Sequence, residues 1–271
     1  MLASIMYPPG RETTDRSWVF GSPEIEATLK PLCQRVEAEF ELPADKFCRY
    51  FADSDDPCLV SDPRFGRHFR GFHATVAARN TLPRYLFDCF FFPLEMFILR
   101  EKLPTFNEMV AFDTLIYIRQ STYNDSIGLV ECYAHELQHF VQRNRTPRLH
   151  AVNGVLYENL KRLEPMTTVV DIPTEREANI ISKRVAESLC GADAVTIFAD
   201  AQVRLMEQLG EYEQRDRWSF FRDTPSSTPF NLLDATLPLV QKHKAVLDFG
   251  MDVDADGWWV GPLPKDKNNR E

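Results

Sequence analysis

Two histidines and a glutamate stand in the order His135-Glu136-Leu137-Gln138-His139, an HExxH pattern. On a helix, residues four apart share a face, so both imidazoles can reach one Zn2+ at about 2.0–2.1 Å. Glu136 lies beside that face, where its carboxylate can hydrogen-bond a zinc-held water and take its proton. The chemistry implied is amide hydrolysis: zinc acidifies the water, Glu136 accepts the proton, hydroxide attacks the carbonyl, and Glu136 returns the proton to the leaving amine. The developing oxyanion needs a further donor, for which Tyr157, His150 and Arg184 are available.

A catalytic zinc takes three protein ligands and keeps one position open, so a third ligand is expected downstream. His150 is the nearest candidate, and a glutamate on a second helix is the other common choice. Residues 171–189 begin with helix-start signals, Asp171 or Thr174 as cap and Pro173 in the first turn. With Glu175 at 0° on a helical wheel, Ala178, Ser182, Val185, Ala186 and Leu189 fall within about 80° of it, so Glu175 belongs to the core-facing arc. Glu177 falls at about 200° and faces out, and Thr174-x-x-Glu177 also fits a capping box. Asn179, one turn after Glu175, is placed to accept the N–H of a ligating histidine through its side-chain carbonyl.

These residues need helices beneath them. Leu129, Tyr133, Leu137, Phe140 and Val141 form an apolar stripe with no Gly or Pro between Leu129 and Arg145, which predicts a helix over about 127–144. Further helices are expected over about 149–163, 173–190, 194–214 and 231–247. Ser22-Pro23 opens an amphipathic stretch towards Phe40 that Pro31 should kink or split. Strands are expected at 90–99, broken by Pro93, and at 114–118; the latter is the candidate edge for pairing with a substrate backbone. Residues 53–84 read as loops and short strands, including the ordinary loop from Arg67 to His73. Asp252 to Gly257 matches the first half of a calcium loop, but the twelfth position is Leu263 rather than a bidentate Glu. It reads as a turn into Trp258-Trp259-Val260.

HELQH followed by Glu175-x-x-x-Asn179 resembles the gluzincin arrangement of zinc metallopeptidases, and Glu175-Arg-Glu-Ala-Asn179 is similar to the ExxAN pattern of the ImmA/IrrE group. The resemblance covers about residues 127–189. It implies Zn2+ held by His135, His139 and Glu175, Glu136 as base and Asn179 behind the ligands. The expected class is α+β and zincin-like: a small mixed sheet packed on an active-site helix, with a predominantly helical C-terminal half. One domain over 1–271 is expected, with the zinc core at about 110–190 and frayed ends at about 1–20 and 264–271.

Composition limits the alternatives. With 31 Lys plus Arg against 40 Asp plus Glu, the net charge of −9 argues against nucleic-acid or anionic-membrane binding through bulk charge. At 44% hydrophobic and 12% aromatic, the chain is a folded one rather than disordered. Six scattered cysteines without a CxxC pair indicate neither a zinc knuckle nor a disulfide scaffold, and the N-terminus has no secretory signal pattern. The apolar stretch 87–99 contains Asp88, Pro93 and Glu95 and is too short to span a bilayer. A cytoplasmic metallopeptidase acting on a protein or peptide is therefore expected. Two other readings stand beside it: an inactive protein holding zinc for structure or partner recognition, with Cys132 as a fourth ligand, and a metal-free interaction protein.

Overall fold

The helix carrying the HExxH pattern is Ser126–Arg145. Asp125 caps it by accepting from the Gly128 N–H at 2.9 Å, and Arg143 and Arg145 complement the dipole in its last turn. In the computed structural model, the described residues are 18–20, 22–42, 47–51, 71–75, 114–164, 167–247, 252–253 and 259–260. In chain order they form β1 (Trp18–Phe20), α1 (Pro23–Ala38), β2 (Phe47–Phe51), β3 (Gly71–Thr75), β4 (Thr114–Ile118), α2 (Ser126–Arg145) and α3 (Pro147–Leu163). There follow α4 (Pro173–Cys190), α5 (Ala192–Leu209), α6 (Tyr212–Asp223), α7 (Leu232–His243), β5 (Asp252–Val253) and β6 (Trp259–Val260).

Every residue of α2 from Gly128 to Gln142 is buried, so the stripe seen in the sequence is only one of its packed faces. That face meets α1 and the strands through Leu129, Val130, Tyr133 and Phe140 against Cys33, Val36, Phe51 and Ile116. Another face lies along α4, the most extensive helix contact among the described residues, and the core continues into α5 and α6 through Val185, Val195, Trp218 and Phe221. A second apolar cluster joins α3 to α7 through Leu149, Val152, Leu156, Leu232 and Val240. Each such side chain contributes about 1.5–3 kcal/mol on full burial. A helix enclosed on all sides must also satisfy its polar groups inside the protein, which is what makes the polar residues of α2 informative.

The described residues are predominantly helical, which corrects the expected α+β, zincin-like class. Helices of 12 to 20 residues form the bulk of the packing, and no strand exceeds five residues. The strands are a minor layer in the order β1-β2-β4-β3, parallel except for the β3–β4 pair. The Thr114–Ile118 strand is bonded on both sides, to β2 and to β3, so it cannot be the free edge expected for a substrate. Its apolar run predicted a strand but carried no information about its neighbours.

The helix expected over 194–214 ends at Leu209, and a separate helix, α6, begins at Tyr212 and runs well beyond the expected span. Gly210 adopts φ +71°, a left-handed conformation open to glycine, and closes α5 before α6 begins. Pro31 neither splits nor ends α1, which runs unbroken to Ala38. His73 belongs to β3 rather than a loop. Residues 90–99, most of 53–84 and 254–258 lie outside the described residues, as do the ends 1–17 and 261–271; β5 and β6, flanking Asp254 to Trp258, pair antiparallel. No described helix is long and apolar enough to cross a membrane.

Candidate metal centre

Helices α2 and α4 bring His135, His139 and Glu175 together. The two Nε2 atoms are 3.2 Å apart; His135 Nε2 lies 3.2 Å from Glu175 Oε2, and His139 Nε2 lies 3.3 Å from Glu175 Oε1. Both histidines are buried and the Glu175 side chain is 19% exposed. The sequence places two of these on one helix turn, and the wheel of 171–189 selects the third; the structure joins them across 36 residues of chain, from His139 to Glu175.

A divalent cation fits this donor set for geometric and electrostatic reasons. Four atoms arranged tetrahedrally at about 2.0–2.1 Å from a cation lie about 3.3 Å from one another, and the three contacts here are 3.2–3.3 Å. Electron-pair donors at that separation cannot hydrogen-bond to one another without a shared proton, so each needs a proton or a cation between them. Charge argues the same way. Glu131 and Glu136 are buried beside Glu175, and the buried cation among them is Arg217 of α6, whose Nη2 donates to Glu131 Oε1 at 2.5 Å. With both histidines neutral, as metal ligands must be, and the carboxylates ionised, three carboxylates against one guanidinium leave a deficit that a divalent ion would balance.

The titration of the cluster reflects that deficit. Burial pushes Glu136 up to about 7, opposed by the His139 and Arg217 charges and reinforced by Glu175. For His139, burial acts downward, but the Glu175 carboxylate outweighs it and holds the ring up to about 9. Burial lowers His135, with the Glu175 hydrogen bond acting the other way. Burial would raise Glu175, yet the two imidazoles hold it well below the usual carboxylate range. Glu136 forms no hydrogen bond among the described residues, which leaves its carboxylate available to take up a proton.

The remaining expected residues are distributed unevenly. Asn179 is fully buried, but its Nδ2 donates to the Glu175 carbonyl at 2.8 Å and its Oδ1 is without a hydrogen bond, as is His135 Nδ1. It therefore secures the backbone of the ligand glutamate and does not receive a histidine N–H. That contact is made instead by Gln142, whose Oε1 lies 2.9 Å from His139 Nδ1. Glu177, expected to face solvent in a capping box, instead accepts from Gln138 Nε2 at 3.0 Å and Gln142 Nε2 at 2.9 Å. Ile172 caps α4 without a side-chain bond, and the capping box falls one turn earlier, at Thr168 and Asp171. A wheel drawn for one helix cannot show a neighbour covering its second face.

His150 of α3 stands at the edge of the site, its ring centroid 6.4 Å from that of His139, and burial pushes it down to about 4 with help from His139 and Arg143. Tyr157 is half-exposed and lines a shallow depression with Leu160, Thr168 and Ile172, away from the three ligands. Arg184 is exposed and donates to the Ser226 carbonyl. Cys132 packs in the apolar core and is outside the ligand cluster. Arg217, Gln142 and Glu131 were not singled out as site residues by sequence reasoning. Two signals are legible in the sequence: Gln142 falls on the face of the helix that carries His135 and His139, and Glu131 stands four residues before His135.

Comparison with known proteins returns no matching family model, no matching curated protein and no matching solved structure.

Proposed function

We propose that this chain is a zinc-dependent metallopeptidase of the gluzincin type, with His135, His139 and Glu175 as ligands and Glu136 as general acid and base. The observation that carries the reading is the triangle of two imidazole nitrogens and a carboxylate at 3.2–3.3 Å, with a buried glutamate, unbonded among the described residues, between the two histidines in sequence. Zinc held there supplies a Lewis acid and an acidified water.

The residues do the rest. Peptide hydrolysis needs one group that removes a proton from the nucleophile and delivers one to the departing amine, and Glu136, buried and without a hydrogen bond among the described residues, can serve both directions. Asn179 Nδ2 donates to the Glu175 carbonyl, which ties down the backbone that carries the ligand carboxylate. His150, neutral at physiological pH and facing His139, is the candidate donor to the oxyanion. The substrate is a protein or peptide, and the acidic chain disfavours nucleic acid. Free thiols at Cys33, Cys132 and Cys190 support a reducing, cytoplasmic setting.

Metal content per chain, measured by elemental analysis, tests the ligands. One zinc in the wild type and little in Glu175→Ala is expected; no zinc in either overturns the reading. Glu136→Gln should retain zinc and lose peptide cleavage, and retained cleavage would remove Glu136 from its role. Stoichiometric zinc with no cleavage of any peptide library would leave an inactive zinc-binding protein.

A further inference from the structure

The amide of Gln142 is enclosed by groups that leave it a single orientation. Its Nε2 lies 2.9 Å from the Thr174 carbonyl and 2.9 Å from Glu177 Oε2, and neither a carbonyl nor a carboxylate can donate. Reversing the amide would set its oxygen against two acceptors inside a buried site, where an unmade bond costs about 1–3 kcal/mol. Gln142 is 2% exposed, so water does not offer an escape. Oε1 is therefore turned to His139 Nδ1, 2.9 Å away, and Nδ1 must carry the hydrogen. A neutral imidazole protonated on Nδ1 has its lone pair on Nε2, the atom that faces His135 and Glu175.

We propose that Glu177 and Gln142 form a relay that fixes the tautomer of His139, so that Glu177 acts on the metal site through the Gln142 amide without touching the ion. The inference rests on the metal-centre reading above. It gives α4 two jobs two residues apart: Glu175 supplies a ligand, and Glu177 sets the ring that ligand faces. The partners on α2 are likewise close, since Gln142 follows His139 by three residues and lies on the adjoining turn. Gln138 also donates to Glu177 at 3.0 Å and helps hold the carboxylate, but it forms no hydrogen bond with either histidine ring among the described residues.

Zinc affinity by competition with a chromophoric chelator, on the full chain, tests the relay. Glu177→Met, which keeps length and helix propensity but removes the acceptor, and Gln142→Leu, which removes the relay itself, should each weaken zinc binding 10–100-fold. Glu177→Gln restores a carbonyl for both amides and should bind within a few-fold of wild type. The His139 Nδ1 proton, observed by nitrogen-15 spectroscopy of the zinc-loaded protein, should exchange with solvent faster in Glu177→Met than in wild type. Wild-type affinity in both Glu177→Met and Gln142→Leu would overturn the relay while leaving the zinc site standing. An equal loss in Glu177→Gln would also overturn it, by showing that helix packing alone is at work. Absence of zinc from the wild type would be seen before any variant was compared, and would overturn the metal-centre reading and the relay together.

Discussion

Helix α2 carries two buried polar clusters on opposite faces, and they are built by different rules. On one face Tyr133 meets Glu37 of α1 and Arg49 of β2. Arg49 donates through Nε to Glu37 Oε1 at 2.6 Å, through Nη2 to Glu37 Oε2 at 3.0 Å and through Nη1 to the Phe47 carbonyl at 3.2 Å. The Tyr133 hydroxyl donates to the same carboxylate, and the guanidinium lies over the rings of Phe47 and Trp18. Donors face acceptors and the charges cancel. On the other face two imidazole nitrogens and a carboxylate point at one another, with acceptors against acceptors. The first cluster is complete as a fold element. The second is complete only with a proton or a cation in it, and that difference separates a structural polar network from a binding site when both are equally buried.

Breaking the complete cluster should have the largest effect on stability. Glu37→Leu strands Arg49 without its counter-charge and should cost about 3–5 kcal/mol in denaturant unfolding, with zinc content per folded chain unchanged. A loss under about 1 kcal/mol would put the pair among the ordinary surface bridges.

The open cluster should respond to the ion instead. Zinc at about a thousandfold excess over its dissociation constant should stabilise the wild type by about 4 kcal/mol, read as a raised thermal midpoint, and should not stabilise His139→Leu. In the absence of zinc the same variant should be less stable than wild type at neutral pH, because it removes the charged His139–Glu175 pair and leaves Gln142 Oε1 unpaired.

Acidity sharpens the contrast further. With no ion bound, His139 titrates near 9 against about 6.5 when unfolded, so its contribution is full below about 6.5 and is lost as pH rises through 9. Glu136, raised to about 7, prefers its neutral form when folded, so its contribution is lost as pH rises from about 4.5 through 7, and Glu136→Gln should remove that part of the slope. Zinc must displace the His139 proton, so calorimetry in buffers of differing ionisation heat should show about one proton released per ion at pH 7–8. No release would mean the ring is already neutral.

The smallest effect belongs to an exposed pair of the same chemistry. Arg145 reaches Glu41 at 2.8 Å, but both side chains are largely in water, and Arg145→Ala should change stability by no more than about 0.5 kcal/mol. A larger loss would show that burial is not what distinguishes Arg49.

Spacing made part of the centre legible. HExxH and the wheel of 171–189 identify His135, His139, Glu136 and Glu175, because helical periodicity within a short window is enough to set which side chains share a face. The helices at 127–144, 149–163 and 173–190 were visible for the same reason, each lying within two residues of the observed bounds. The break at Gly210 was missed because a lone glycine within a helical pattern fits either continuation or a C-terminal cap, and the predominantly helical class was missed because short apolar runs weigh towards strands when their packing is unknown.

What the sequence determined by itself is therefore the local part: which residues can ligate, on which helices, and on which face. The tertiary structure decided the rest. It turned Glu177 inwards, set Gln142 rather than Asn179 behind His139, brought Arg217 to Glu131 across 86 residues and joined Arg49 to Tyr133 across 84. These depend on which helix covers which face, and a one-dimensional period specifies a face without specifying its neighbour.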